Sequence, residues 1–264
     1  MDPSAAPSGW LNVVFQVSQL LYLVTVLIVG VRLLWLSHRT GGMPERLLGL
    51  QFVVGSGIAW PVVLAGLLQV VPGSEPAPHV PWLIGLGYFG LDVSLVFQLL
   101  FVRCVFRPDA GWAKALVAIG ALYIAGSYAA LGLSGHFHRP IFGGLWYWLH
   151  YLPPALCACW VTYEAFRYHG VLRKRLSLGL ADPVVTNRFL LWGSASICGM
   201  VVVALGASPS IYQGMDVATV ARISSAVLSA MSLLGLVAVV LYWLTFFPTR
   251  AYLGWIERRA PVAA

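Results

Sequence analysis

The chain has 264 residues, 59% of them hydrophobic and only 9% charged, with a net charge of +7. Soluble domains carry roughly 25% charged residues. A mean hydropathy of +0.83 therefore excludes a disordered chain and, despite the basic balance, a nucleic-acid binder; the composition is that of a membrane protein.

A helix needs roughly 20 mostly apolar residues to cross about 30 Å of hydrocarbon. Seven such runs occur, at 10–36, 45–71, 82–104, 112–133, 143–166, 184–207 and 217–247, and the short breaks between them leave no room for a soluble domain. Met1–Gly9 has no positive charge, and the first run is long and lacks a small-residue cleavage site. It is therefore expected to stay as span one rather than act as a secretory signal. Pro44-Glu45, Pro81 and Asp182-Pro183 suit the starts of spans two, three and six, and Asp109 and Asp216 suit the N-caps of spans four and seven, because Pro fits a first helical turn and acidic groups favour the positive end of the helix dipole. Pro61 and Pro153-Pro154 are expected to kink spans two and five. Small residues recur at Gly85, Gly87 and Gly90, at Gly193, Ser196 and Gly199, and at Ser225, Ser229, Ser232 and Gly235, where helices can approach closely. Beyond span seven, Tyr252, Leu253, Trp255 and Ile256 are combined with basic groups, as in a short amphipathic helix lying in the interface. The expected fold is an all-α bundle of seven transmembrane helices over 1–247 with a juxtamembrane tail over 248–264.

Orientation follows from where Lys and Arg fall. Fourteen of the sixteen lie in loops one, three and five, at the adjoining span ends and in the tail; only Arg139 and Arg222 lie on the other side. The N-terminus is thus expected outside and the C-terminus in the cytoplasm. The basic segment 167–188, with Arg173-Lys174-Arg175, offers a docking surface for a cytoplasmic protein or for anionic lipid headgroups. Cys104, Cys157, Cys159 and Cys198 all fall in spans or at an inner end, so packing rather than an external disulfide is expected. Cys157 and Cys159 would point about 200° apart on a helix, a poor metal pair.

Ionisable groups inside a membrane are costly and point to function. Asp92 lies near the middle of span three, with Tyr88 one turn earlier on the same face. A buried carboxylate needs a partner or a proton, and His150 and Arg222 are the candidates. Gln16 and Gln19, Trp60, Tyr128, His150, and Ser225 and Ser229 also fall in the outer halves of their spans. By depth, they line a cavity open to the outside; taken singly, each also fits an interhelical packing contact. His136-x-His138 has the spacing of a weak transition-metal chelate, or of a pair responding to pH.

Seven spans with the N-terminus outside resemble microbial rhodopsins and G-protein-coupled receptors in topology alone. The only lysines, Lys114 and Lys174, are at the cytoplasmic face, which excludes a covalent retinal, and the Leu99-Leu-Phe-Val-Arg103-Cys end of span three lacks the receptors' acidic-Arg-aromatic triplet. No histidine follows His169, so the His-x-x-x-His pair of alkaline ceramidase-like hydrolases is missing, as is the Pro-Gln dipeptide of small sugar transporters. The segments starting His38-Arg-Thr-Gly-Gly-Met-Pro-Glu-Arg, Val105-Phe-Arg-Pro-Asp, Gly179-Leu-Ala-Asp-Pro and Leu244-Thr-Phe-Phe-Pro-Thr-Arg resemble those of a family of bacterial seven-span inner-membrane proteins without an assigned activity. That resemblance implies a location but no chemistry.

The function expected from these features is that of a receptor or sensor binding a small or lipidic ligand at Asp92, Tyr88 and His150 and signalling to a separate partner. The alternatives are a transporter or proton-coupled permease using Asp92, and a ligand-free membrane scaffold. An enzyme ranks last, because no nucleophile, base and metal ligands converge at one depth.

Overall fold

A computed structural model describes residues 9–70, 75–140, 144–212 and 215–259. The expected outer N-terminal segment 1–8 and the end of the tail, 260–264, lie outside the described residues. The protein is 85% helical, with no strand among the described residues. We label its helices α1 (Gly9–Thr40), α2 (Met43–Leu67), α3 (Val80–Phe106), α4 (Gly111–Leu133), α5 (Leu145–Leu176), α6 (Pro183–Gly206), α7 (Val217–Phe246) and α8 (Arg250–Arg259).

Among the described residues, six helices are long and apolar enough to cross a membrane, namely α1 to α4, α6 and α7. Large apolar side chains such as Leu122, Leu133 and Leu233 stay exposed along them, as befits surfaces solvated by lipid. This is the build of a multi-pass membrane protein. The 32-residue α5 is not among the six. Its first half is rich in Trp and Tyr and contains Pro153 and Pro154, and its second half carries Glu164 and Arg167.

The expected elements form with shifted ends. Asp182 caps α6 by accepting from the Val184 and Val185 amides, and Asp216 caps α7 by accepting from the Thr219 amide. Asp109 does not cap α4, whose N-cap is Ala110. Span two stops at Leu67 rather than at 71. Span five runs ten residues past its expected end, to Leu176, because hydropathy registers the charges of 167–175 as a loop although Arg and Lys are good helix formers. Arg173, Lys174 and Arg175 occupy the last turn, where the negative end of the dipole favours cations. Gly179 then ends the helix in the left-handed region (φ 69°), its amide reaching Leu176 O and the Leu180 amide reaching Arg175 O, the Schellman arrangement that glycine permits.

The chain divides into two compact units, each described by itself: 26–157 with 209–213, and 1–25 with 158–208 and 214–264. The first unit is built on close approach of α2 and α3. Gly55 faces Ser94, Ala59 faces Gly90, Val63 faces Gly87 and Gly66 faces Ile84, an antiparallel register of small residues. A methyl group at Gly87 would sit 2.7 Å from the backbone nitrogen of Val63. The irregularity expected at Pro61 takes the form of π-helix over Gln51–Ala59, immediately before it. Pro61 has no N–H for the carbonyl four residues back, and the ladder upstream slips so that the Trp60 amide reaches Gly55 O, five residues back. Such π turns mark the insertion of extra backbone into a helix. In the second unit α6 packs along α7 and α8, and the Asn187 side-chain amide donates to Tyr252 Oη at 2.7 Å, tying α6 to α8.

Candidate functional site

The chemistry of the first unit centres on Asp92, one residue from the midpoint of α3 and 8% exposed. Opposite it on α5 stands His150, with Nε2 3.7 Å from Asp92 Oδ1. Of the two partners expected for Asp92, His150 is therefore the one beside it. Arg222 belongs to the second unit and donates to Thr219 Oγ1 in its own helix.

The neighbouring hydrogen bonds fix how the imidazole presents itself. Ser127 on α4 donates its hydroxyl proton to Ile124 O at 3.0 Å, so its oxygen is left to accept from His150 Nδ1, 3.3 Å away. In the neutral ring, N–H then sits on Nδ1 and a lone pair on Nε2 faces the carboxylate. Two lone pairs facing each other repel, so the pair is favourable only when it holds a proton, either on the carboxyl or on the ring. At 3.7 Å the two groups are too far apart for a direct hydrogen bond. Asp92 Oδ2 is buried with no hydrogen-bond partner among the described residues. The Asp92 carboxylate thus receives no hydrogen bond from any described residue.

Aromatic rings wall this group. Tyr88, one turn before Asp92, meets His150 edge-on at 5.5 Å and His136 edge-on at 5.9 Å, and Phe137 stacks on it at 6.2 Å. Tyr128 reaches from α4 to Phe137 at 5.4 Å and donates from its hydroxyl to Gly85 O at 3.1 Å. Tyr147 stacks on His136 and on Tyr151, so residues 147, 150 and 151 present one face of α5. A glycine places the remaining two rings. Gly135 ends α4 at φ 80°, with its amide on Gly132 O and the His136 amide on Leu131 O. This Schellman turn folds His136 and Phe137 back over α3, where Phe137 lies against Gly85 and Gly132, positions where a Cβ would crowd it.

Proline shapes the fourth wall. Pro153 has no N–H for the carbonyl of Leu149, and the Tyr123 hydroxyl on α4 donates to that oxygen at 3.0 Å. A carbonyl freed by a helix break is thereby satisfied by a neighbouring helix.

Of the residues expected at the site, the structure gathers Asp92, Tyr88, His150 and Tyr128. Trp60 is in the same unit but makes no ring contact with this group among the described residues. Gln16 and Gln19 and Ser225 and Ser229 belong to the second unit; Gln16 is exposed, Gln19 is half-buried, and Ser229 donates to Ser225 O in its own helix. Of the metal candidates, His136 is 3% exposed and sits within the aromatic wall, whereas His138 is exposed. The two rings therefore do not meet at one site. No group of three His, Cys, Asp or Glu placed to hold a metal occurs among the described residues. Ser127, Phe137, Tyr147 and Tyr151 were not singled out from the sequence. The i, i+3, i+4 spacing of Tyr147, His150 and Tyr151 was the signal that they share a face.

Compared with known protein families, curated proteins and solved structures, the chain matches none.

Proposed function

We propose that this chain is a receptor or sensor of the cell membrane, in a bacterial inner membrane, with seven spans, the N-terminus outside and the C-terminus in the cytoplasm. In this reading α5 is the remaining span, its Trp- and Tyr-rich first half facing the outer interface. The ligand enters from the outer half and is bound at Asp92, with Tyr88, Tyr128 and His150 around it. Its signal passes to a separate cytoplasmic protein that docks on the basic segment 167–188.

The observation that carries this reading is the buried Asp92 carboxylate, which receives no hydrogen bond among the described residues and stands within a ring of aromatic side chains. A buried carboxylate without a hydrogen-bond donor fits a ligand that donates, and aromatic faces favour cations. The best-fitting ligand is a small molecule bearing an ammonium group. The test is native mass spectrometry of protein purified in mild detergent, comparing the natural chain with Asp92→Asn. A stoichiometric small molecule retained by the first and lost from the second, with the second folded no less stably, is the expected result. Empty protein in both forms, together with no thermal shift from a panel of primary and quaternary amines, overturns it and favours a ligand-free scaffold.

A second reading is a proton-coupled transporter. It is favoured by two proton-carrying groups, Asp92 and His150, facing each other inside the bundle and by the helix irregularities at the π turns before Pro61 and at Pro153-Pro154. Proton uptake into proteoliposomes that disappears in Asp92→Asn would select it over the receptor.

A further inference from the structure

The second unit contains a cavity that the Asp92 site does not involve. It measures about 400 Å³ and lies where the basic end of α5 and the first turns of α6 meet α8. That is within the range of about 300–1,000 Å³ typical of small-molecule sites. Its walls are of two kinds. Leu190, Trp255 and Ile256 give an apolar side, and His169, Arg173 and Asn187 give a polar one.

The polar side is built to meet an anion. The Arg173 guanidinium has no ion pair or hydrogen bond among the described residues and is available for a ligand. His169 donates from Nδ1 to Thr186 O at 2.9 Å, and Asn187 is held by Tyr252 at 2.7 Å, so the walls are fixed by contacts between helices. The amides at the start of α6 are not the attraction, because Asp182 already accepts from two of them. Charge favours an anion throughout: 167–188 carries five cations to one acid, and 250–259 three to one.

We propose that this cavity binds the phosphate headgroup of an anionic phospholipid, with Arg173 on the phosphate and the first part of the acyl region against Leu190, Trp255 and Ile256. A free anion would have no use for the apolar wall, and a zwitterionic lipid would gain little from the surrounding cations. The amphipathic α8 then serves as one side of a headgroup site as well as an interfacial float. The proposal rests on the membrane reading of the chain and not on the Asp92 ligand.

The test is a titration of the full-length protein, in a neutral detergent, with short-chain phosphatidylglycerol, followed by native mass spectrometry. Phosphatidylcholine with the same chains and inorganic phosphate are the comparison probes. Phosphatidylglycerol is expected to bind tightest, and Arg173→Gln to weaken it about tenfold, the loss of one direct charge-assisted hydrogen bond to the phosphate. Lys174→Gln, which removes a neighbouring charge outside the cavity lining, should change it less than about twofold. Asp92→Asn should leave it unchanged, which separates this site from the proposed receptor site. Equal losses in Arg173→Gln and Lys174→Gln would reduce the effect to diffuse surface charge and overturn the proposal. So would competition by inorganic phosphate, which would mark a free-anion site, or equal affinity for phosphatidylcholine, which would mark a plain apolar groove. Should Arg173→Gln fail to fold, Trp255→Ala tests the apolar wall and is expected to weaken phosphatidylglycerol; unchanged lipid binding would overturn the proposal.

Discussion

Among the described residues, one acidic residue is buried in each unit, Asp92 in the first and Glu164 in the second, and the two are treated differently. Glu164, 1% exposed, lies on α5 with Arg167 one turn later, the guanidinium 3.3 Å from its Oε2. The partner is permanently cationic and comes from the same helix, so the pair is set as soon as α5 forms. Asp92 faces a histidine from another helix, which is charged only when it takes a proton, across 3.7 Å, and one of its oxygens has no partner among the described residues. A buried acid neutralised locally is a structural element. A buried acid with one oxygen unpartnered, held among three helices and walled with rings, costs stability, and the proposed ligand site offers a reason for that cost.

The sharpest way to break this comparison is to remove each partner. Arg167→Leu strands Glu164 beside an apolar side chain. Losing one member of a buried pair costs about 3–5 kcal/mol, and the lower end, about 3 kcal/mol, is expected because Arg167 is 44% exposed. Thermal unfolding in detergent should show a large drop. A loss below about 1 kcal/mol would mean that Glu164 is served by its other contacts and that the contrast with Asp92 is weaker than drawn. Next in size is the scaffold that presents Asp92. Gly87→Ala puts a methyl group against the Val63 backbone, which cannot swing aside, and should cost about 2 kcal/mol. Gly126→Ala on α4 meets nothing within 4 Å and should be neutral or slightly stabilising. Similar losses at both glycines would argue against the α2–α3 register.

Asp92→Asn should move stability the other way. It removes a poorly compensated carboxylate from mid-helix depth, so a gain of about 1 kcal/mol is expected, read as a higher unfolding temperature without ligand. A loss comparable to that of Arg167→Leu would place Asp92 with Glu164 as a structural acid, and the proposed site would lose its main support.

The sequence made the helices legible because apolar runs of membrane length are a strong signal and Pro, Gly and Asp mark most of their ends. The second half of α5 was misread because Arg167 to Arg175 carry charge, which suits a helix end as well as a loop. The site was legible where chemistry was local: Tyr88 and Asp92 one turn apart, and His150 as a candidate partner. Depth alone could not sort the rest. Gln16, Ser225 and Ser229 fall in the outer halves of their spans yet belong to the other unit, while His136 and Phe137 reach the site through the turn at Gly135, whose consequence depends on helix rotation. The prolines at 153 and 154 announced an irregular α5, but only the fold shows which group compensates for it.

That compensation supplies a direct check on the wall opposite Asp92. Pro153 leaves Leu149 O without its helical donor, and Tyr123 provides one from α4 at 3.0 Å. Tyr123→Phe keeps the ring and removes only the hydroxyl. Interhelical hydrogen bonds in membranes average about 0.6 kcal/mol, with a maximum near 1.7, and a loss of about 1 kcal/mol is expected because an oxygen freed by proline has few other donors within lipid. The loss should vanish in Pro153→Ala, where the backbone amide returns to Leu149 O and the hydroxyl becomes redundant. Equal losses with and without Pro153 would show that Tyr123 acts by packing alone. The turn of α5 that carries His150 would then owe its position to the aromatic wall and to Ser127 instead of to this bond.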